Sequence, residues 1–289
     1  MSVKEKMTAI ADTIRSHTGG TEKLSLDDMP LEIENACTAE YEKGLADGQA
    51  SGGYAEGVEA GKQAEQERFW DNYLNHESRY SYSYLFAGNG WNDDTFCPPE
   101  GTVITFAGVV NKNADSMFIA SKITDLQRIC RERNITLDFS EATRFSQFLA
   151  DSAITTFPVL DTRGATNLNN ILYAPQRLVT LEKLILKEDG SQTFNGNSFL
   201  LCGALENIIV EGKFGVSVDM HWSTKLTKAS IESIMEALSL TATGQTLTLS
   251  KTAVDNAFHD PEGEDVIGSA SADWNSLMES KPNWTITLV

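Results

Sequence analysis

From residue 134 onward the apolar positions return in one short pattern: apolar, two spacers, apolar, one spacer, apolar. The clearest copies are Ile154-Thr-Thr-Phe157-Pro-Val159, Leu181-Glu-Lys-Leu184-Ile-Leu186 and Leu205-Glu-Asn-Ile208-Ile-Val210. Their first anchors stand at 154, 181 and 205, so the first interval is slightly the longer. Asn134-Ile-Thr-Leu137-Asp-Phe139 is a weaker earlier copy, its Leu137 preceding Phe157 by a somewhat shorter interval. A strand motif returning every roughly 20–29 residues has the period of leucine-rich repeats. Phe145, Leu168 and Phe194 hold similar places ahead of the anchors and are expected to fill the layer behind each strand. A unit this short cannot bury its apolar side alone. Stacked units make one continuous core, with their strands aligned as a parallel sheet.

Beyond Val210 the spacing lengthens. Val216 and Val218 mark a short strand closed by Trp222, and Thr227 can cap a helix striped by Ile231, Ile234, Met235 and Leu238. Thr246-Leu247-Thr-Leu249 reads as a strand, Ser271 to Glu279 as a helix turning Trp274, Leu277 and Met278 inward, and Trp284-Thr-Ile286-Thr-Leu288 as a final alternating strand. Longer strand–helix units suit the cap that a stacked array needs over its last apolar layer. The expected fold is therefore an α/β solenoid, irregular and leucine-rich-repeat-like, with parallel strands and helical or loop returns.

Upstream the pattern is helical. Val3, Met7, Ile10 and Ile14 form an amphipathic stripe ending at Thr18-Gly19-Gly20, and Met29, Ile33 and Ala36 or Cys37 share a face of a second short helix that has Pro30 in its first turn. Further on, Tyr41-Glu-Lys-Gly44-Leu-Ala-Asp-Gly48 is echoed by Tyr54-Ala-Glu-Gly57-Val-Glu-Ala-Gly61. Glycine costs about 1 kcal/mol relative to alanine in a helix. Glycines four apart therefore mean either close approach of a neighbouring helix or a flexible linker broken at Ser51-Gly52-Gly53. Three regions follow: a helical docking region, 1–38; a glycine-patterned spacer, 39–77; and the repeat body with its strand–helix cap, 78–289. In the body's first stretch, Tyr80, Tyr82 and Tyr84 alternate with serines at strand spacing. Trp91, after Gly88-Asn89-Gly90, belongs either to an aromatic ligand platform or to a layer capping the end of the array.

Charge narrows the partners. With 41 acidic against 23 basic residues, the net charge of −18 repels phosphates and anionic membranes, so nucleic-acid binding is not expected. No stretch approaches the ~20 apolar residues of a membrane span, and Met1 to Arg15 lacks the apolar run of a secretory signal. Cys37, Cys97, Cys130 and Cys202 are scattered without a CxxC pair and read as structural thiols. His17, His76, His221 and His259 fit no HExxH spacing, GxSxG is absent, and the acidic run Glu262-Gly-Glu264-Asp265 lacks the ligand order of a calcium loop. No catalytic residue, cofactor or metal is predicted. His221 beside Trp222 reads either as a carbohydrate contact or as a loop edge packed on the body.

The repeat resembles the irregular bacterial leucine-rich-repeat type called BspA-like. Leu226-Thr-Lys-Ala-Ser-Ile231-Glu-Ser-Ile234, Gln245-Thr-Leu-Thr-Leu249 and Trp284-Thr-Ile-Thr-Leu288 are similar to the C-terminal ends of such proteins in prophage regions. Ile10-Ala-Asp-Thr-Ile14-Arg, Thr18-Gly-Gly-Thr21 and Leu26-Asp-Asp-Met29 resemble the opening of phage tail-associated and baseplate-associated proteins. The matches cover most of the chain, least over residues 75–130. The resemblance implies a non-enzymatic virion component of a tail fibre or baseplate, assembled in the host cytoplasm. Its N-terminal helices would hold other tail or baseplate proteins, and its repeats a host surface polysaccharide or protein. Fibres present several copies, so a homo-oligomer, a trimer among the options, is expected. The alternatives are a bacterial cell-surface or secreted leucine-rich-repeat protein and a glycan-degrading fibre enzyme.

Overall fold

The computed structural model describes residues 81–88, 90–258 and 272–289, together with Ala64, Glu67, Arg68, Trp70 and Leu74 of a preceding helix. The docking helices, the glycine repeat, His17, His76, Cys37, His259 and the acidic run at 262–265 lie outside these residues. Twelve further elements are described: β1 (Val103–Thr105), α1 (Leu126–Glu132), β2 (Thr136–Asp138), β3 (Thr156–Asp161), β4 (Thr180–Ile185), β5 (Asn207–Glu211), β6 (Val218–Met220), α2 (Lys228–Glu236), β7 (Gln245–Leu249), α3 (Lys251–Ala257), α4 (Ala272–Glu279) and β8 (Trp284–Leu288). They form three open sheets, β1-β2, β3-β4-β5 and β6-β7-β8, in which every pairing is parallel.

The three sequence hexads supply the middle sheet, in chain order, but not in the frame their first anchors predict. Phe157 pairs with Leu181, and Leu181 with Ile208; Leu160 stands beside Leu184, and Leu184 beside Val210 after a register shift. The equivalent positions are thus 157, 181 and 208 rather than 154, 181 and 205, and the longer interval comes second instead of first. Ile154 corresponds to Leu178 rather than to Leu181. The ambiguity is physical. Ile154, Phe157, Leu178, Leu181 and Leu184 are all buried, so a motif with an anchor at every third position can slide by one anchor without exposing an apolar side chain. The earlier copy also differs from its expected place. Its Leu137 pairs with Ile104 of β1, and the position beside β3 is taken by Asp125, which bridges Thr156.

Two helices close the edges of that middle sheet. Asp125 caps α1 by accepting from Arg128 N at 2.9 Å, and it also takes the Thr156 hydroxyl of β3. At the other edge Thr227 caps α2 as predicted, accepting from Ser230 N. Ser230 Oγ accepts from Ile208 N at 3.0 Å and donates to the Glu206 carbonyl at 2.8 Å, while Ser233 Oγ accepts from Val210 N at 2.8 Å. Side-chain hydroxyls here replace the next strand. They satisfy donors that would otherwise invite another chain to pair.

A second ladder runs through tight turns. Tyr84, Ser116, Gln147 and Asn170 all have positive φ, and so do Gly88, Ala120, Asp151 and Ala174, the next left-handed residue in each turn. The left-handed conformation costs a non-glycine residue roughly 1–2 kcal/mol. The recurrence has a compensation: the N–H groups of these residues donate to the following turn, Tyr84 to Asp115, Ser116 to Ser146, Gln147 to Asn170, Gly88 to Ile119, Ala120 to Ala150, Asp151 to Ala174 and Ala174 to Leu200, while Asn170 N donates to the Asn195 side chain. The strand expected from the tyrosine–serine alternation is therefore a turn, with Tyr82 buried and Tyr84 exposed. Two tyrosines in the same phase of the alternation thus face opposite ways, which a strand would not allow.

Candidate ligand-binding surface

Trp91 and the His221–Trp222 pair lie in different settings. Trp91 is 4% exposed, its ring 5.8 Å from Trp70 and 5.3 Å from Phe86, in a cluster that also holds Phe96. It belongs to a covering layer: Trp70 and Leu74 of the preceding helix are buried with it in the core. A ligand has no open ring face to meet there.

His221 and Trp222 follow directly on β6. The strand buries Val218 and Met220 and turns Asp219 outward. The chain then bends, so that Asp219 Oδ1 accepts from His221 N at 3.1 Å and lies 2.6 Å from His221 Nδ1. With a carboxylate as acceptor, Nδ1 carries the proton. The imidazole lies 5.0 Å from the Trp222 ring at 40°. Trp222 is 41% exposed, whereas Trp70, Trp91, Trp274 and Trp284, the other four of the chain's five tryptophans, are buried.

Beside this pair the outer face of the sheet carries hydroxyls in register. Asp219 stands opposite Thr248, and Thr248 opposite Thr287; Thr246 stands opposite Thr285. Ser217 extends the second row through its Oγ, which accepts from Thr246 N at 2.9 Å, while Gln245 Oε1 accepts from Ser217 N and Oγ. The inward positions Leu247 and Leu249 are fully buried, which orients the threonines outward by the twofold alternation of a strand. Sequence reading singled out the histidine and tryptophan and missed these partners. The signal was present in Thr246-Leu-Thr248 and Thr285-Ile-Thr287, but only strand register brings the two triplets together.

Burial pushes the Cys130 thiol up to about 12 and raises that of Cys202 further, so neither is a thiolate at neutral pH. Lys228 is held protonated by its bond to Asp273 and sits 5.4 Å from the Phe258 ring, tying α2 to α4 and the end of α3. Lys281 is shifted down, chiefly by burial, where it donates to the carbonyls of Glu236 and Leu238. Among the described residues no group of three or more His, Cys, Asp or Glu side chains is placed to hold a metal, and no helix is long and apolar enough to cross a membrane. No protein-family model matches the chain, and no curated protein or solved structure matches it.

Proposed function

We propose that residues 78–289 form a short, irregular solenoid of leucine-rich-repeat type, and that the chain is a phage or prophage tail-fibre or baseplate protein adhering to a host surface through it. The observation that carries the solenoid part is the in-order parallel pairing of β3, β4 and β5, accompanied by tight turns that hydrogen-bond each segment to the next. Two ladders at recurring offsets are what stacked turns of one chain generate. The adhesive part is supported by chemistry. Interiors are filled by large apolar side chains, while the outward strand positions of the last sheet carry short hydroxyls and a carboxylate, beside an exposed tryptophan. The N-terminal helices attach the chain to other tail or baseplate proteins, and several copies, three in the simplest fibre, act together.

The test is imaging of the parent particle with an antibody raised against residues 80–289, joined to binding of the labelled full-length chain to host cells. Label on the tail and saturable cell binding are expected. Label on a bacterial wall with none on particles would transfer the reading to a cell-surface protein with the same repeats. Light scattering of the full-length chain is expected to give an oligomer, and a monomer would remove that part.

A further inference from the structure

We infer that Trp222, with Asp219, His221, Thr248 and Thr287, is the binding site for an uncharged sugar ring at the end of a host glycan. The inference deepens the adhesive reading and rests on it. It starts from Trp222, which is 41% exposed while every other tryptophan of the chain is at most 7% exposed. An indole face in water is a large apolar plane, and it gains by covering an equally flat apolar surface. Sugar rings offer such a face, rimmed by hydroxyls that must keep hydrogen bonds when water is displaced.

The rim partners adjoin the indole through His221. Asp219 is 33% exposed at its side chain and accepts from His221, whose ring lies 5.0 Å from that of Trp222. A carboxylate accepts from two sugar hydroxyls at once, and the imidazole held by it offers Nε2 as a further hydrogen-bonding atom. From Asp219 the row continues through Thr248 to Thr287. Strand spacing makes this row about 10 Å long, enough for a ligand of more than one ring. Threonine hydroxyls donate and accept, and short β-branched side chains with few rotamers cost little entropy to order.

Charge sets the class. The site's carboxylate is bonded to the imidazole, and Lys251, beyond the end of β7, is paired with Asp255. The whole chain carries −18. Uronates, sialic acids and phosphate-bearing polymers are repelled, whereas uncharged hexoses are not.

The experiment uses the full-length chain, with acrylamide quenching of tryptophan fluorescence as readout. Because Trp222 alone is exposed among the five tryptophans, the quenchable fraction reports on it. Titration with neutral gluco-, galacto- and manno-oligosaccharides is expected to protect that fraction in at least one series, and hexuronate oligosaccharides are expected not to. Trp222→Ala should weaken binding, followed by calorimetry, at least roughly tenfold, and Thr248→Val with Thr287→Val severalfold. The valine pair keeps the shape of the sheet face and serves if the alanine variant folds poorly. The site is overturned if no neutral series binds, if hexuronates bind better, or if all variants bind as the parent does. Cell binding separates the two readings. If the parent chain and Trp222→Ala adhere to host cells equally well, this site falls while adhesion stands. If the parent does not adhere at all, adhesion falls, and the oligosaccharide titration still decides the site.

Discussion

Between residues 86 and 157 the interior is rich in aromatic rings set among aliphatic side chains, and between 165 and 210 it is almost wholly aliphatic. The first stretch buries Phe86, Phe96, Phe106, Phe118, Phe139, Phe145, Phe148 and Phe157, most of them in tilted or edge-to-face contact. The second buries Leu168, Ile171, Leu172, Leu178, Leu181, Leu184, Leu186, Leu205 and Ile208, with Phe199 as its one fully buried ring. Chain length per turn differs in the same sense. The first stretch pairs Asn92 with Lys122, Val103 with Thr136, Asn113 with Arg144 and Asp125 with Thr156. The second pairs Phe157 with Leu181, Asn167 with Thr193 and Leu181 with Ile208, and each of these intervals is shorter than any in the first. If these segments are turns of one solenoid, as proposed, a longer turn encloses a wider layer that leucines would leave under-filled; interiors at crystal-like density do not tolerate such gaps. On that reading side-chain volume follows perimeter.

The sharpest way to break that relation is at the boundary, where Phe157 and Leu181 are register partners and both fully buried. Phe157→Ala is expected to cost roughly 3–5 kcal/mol and Leu181→Ala roughly 2–5 kcal/mol, each a large share of a domain's stability in denaturant unfolding. The decisive variant is the exchange. Leu181→Phe alone overpacks the narrow layer, costing about 1–3 kcal/mol, and Phe157→Leu leaves a void in the wide one. If perimeter fixes the volume of each layer, the double exchange is as unstable as the two singles combined. If only the summed volume matters, the double variant recovers most of the loss, and the comparison fails.

The narrow stretch also ends differently from the wide one, on helix hydroxyls rather than on covering aromatics. Ser230 is 2% exposed and bonds both Ile208 N and the Glu206 carbonyl. Ser230→Ala strands a buried donor, an expected loss of about 1–3 kcal/mol. Faster amide exchange at Ile208 than at Leu184, within the same sheet, would localise it to that edge. Unchanged stability and unchanged exchange would mean that α2 does not seal the sheet.

Much of this was legible beforehand, for identifiable reasons. The hexads pointed to strands because their apolar anchors are buried, except Val159, whose place in the core Leu160 takes, while spacers such as Glu182 and Glu206 are not, and α2 was visible through Thr227 and the stripe from Ile231 to Leu238. The register was not legible, since Ile154, Phe157 and Leu160 are interchangeable as anchors until hydrogen bonds choose among them. α1 was missed although Asp125 caps it and Leu126, Ile129 and Cys130 line one face, because so short a helix carries too little period to stand out. α3, equally short, was missed for the same reason. At the candidate site Trp222 and His221 were visible as residue types. Asp219, Thr248 and Thr287 were not, since parallel pairing joins positions too distant along the chain for local reading to connect.

What the wide and narrow stretches share is the pair of left-handed residues in each turn, and this yields the smallest expected effect. Gly88 and Ala120 occupy the same place in successive turns, with φ of 92° and 56°, and donate their N–H groups to Ile119 and Ala150. Ala120 is half-buried, so its methyl group contributes only a little packing. A left-handed alanine costs roughly 1–2 kcal/mol, while glycine adds about 0.5–1 kcal/mol of unfolded-state entropy. Ala120→Gly should therefore stabilise the chain by about 0.5 kcal/mol, and Gly88→Ala should destabilise it by about the same amount. The direction of the signs carries the argument, because an effect of glycine on the unfolded state alone reverses both, with Ala120→Gly the less stable. Paired denaturant melts with unchanged slopes decide it. If Ala120→Gly is the less stable variant, backbone strain is not what the repeated turns hold in common.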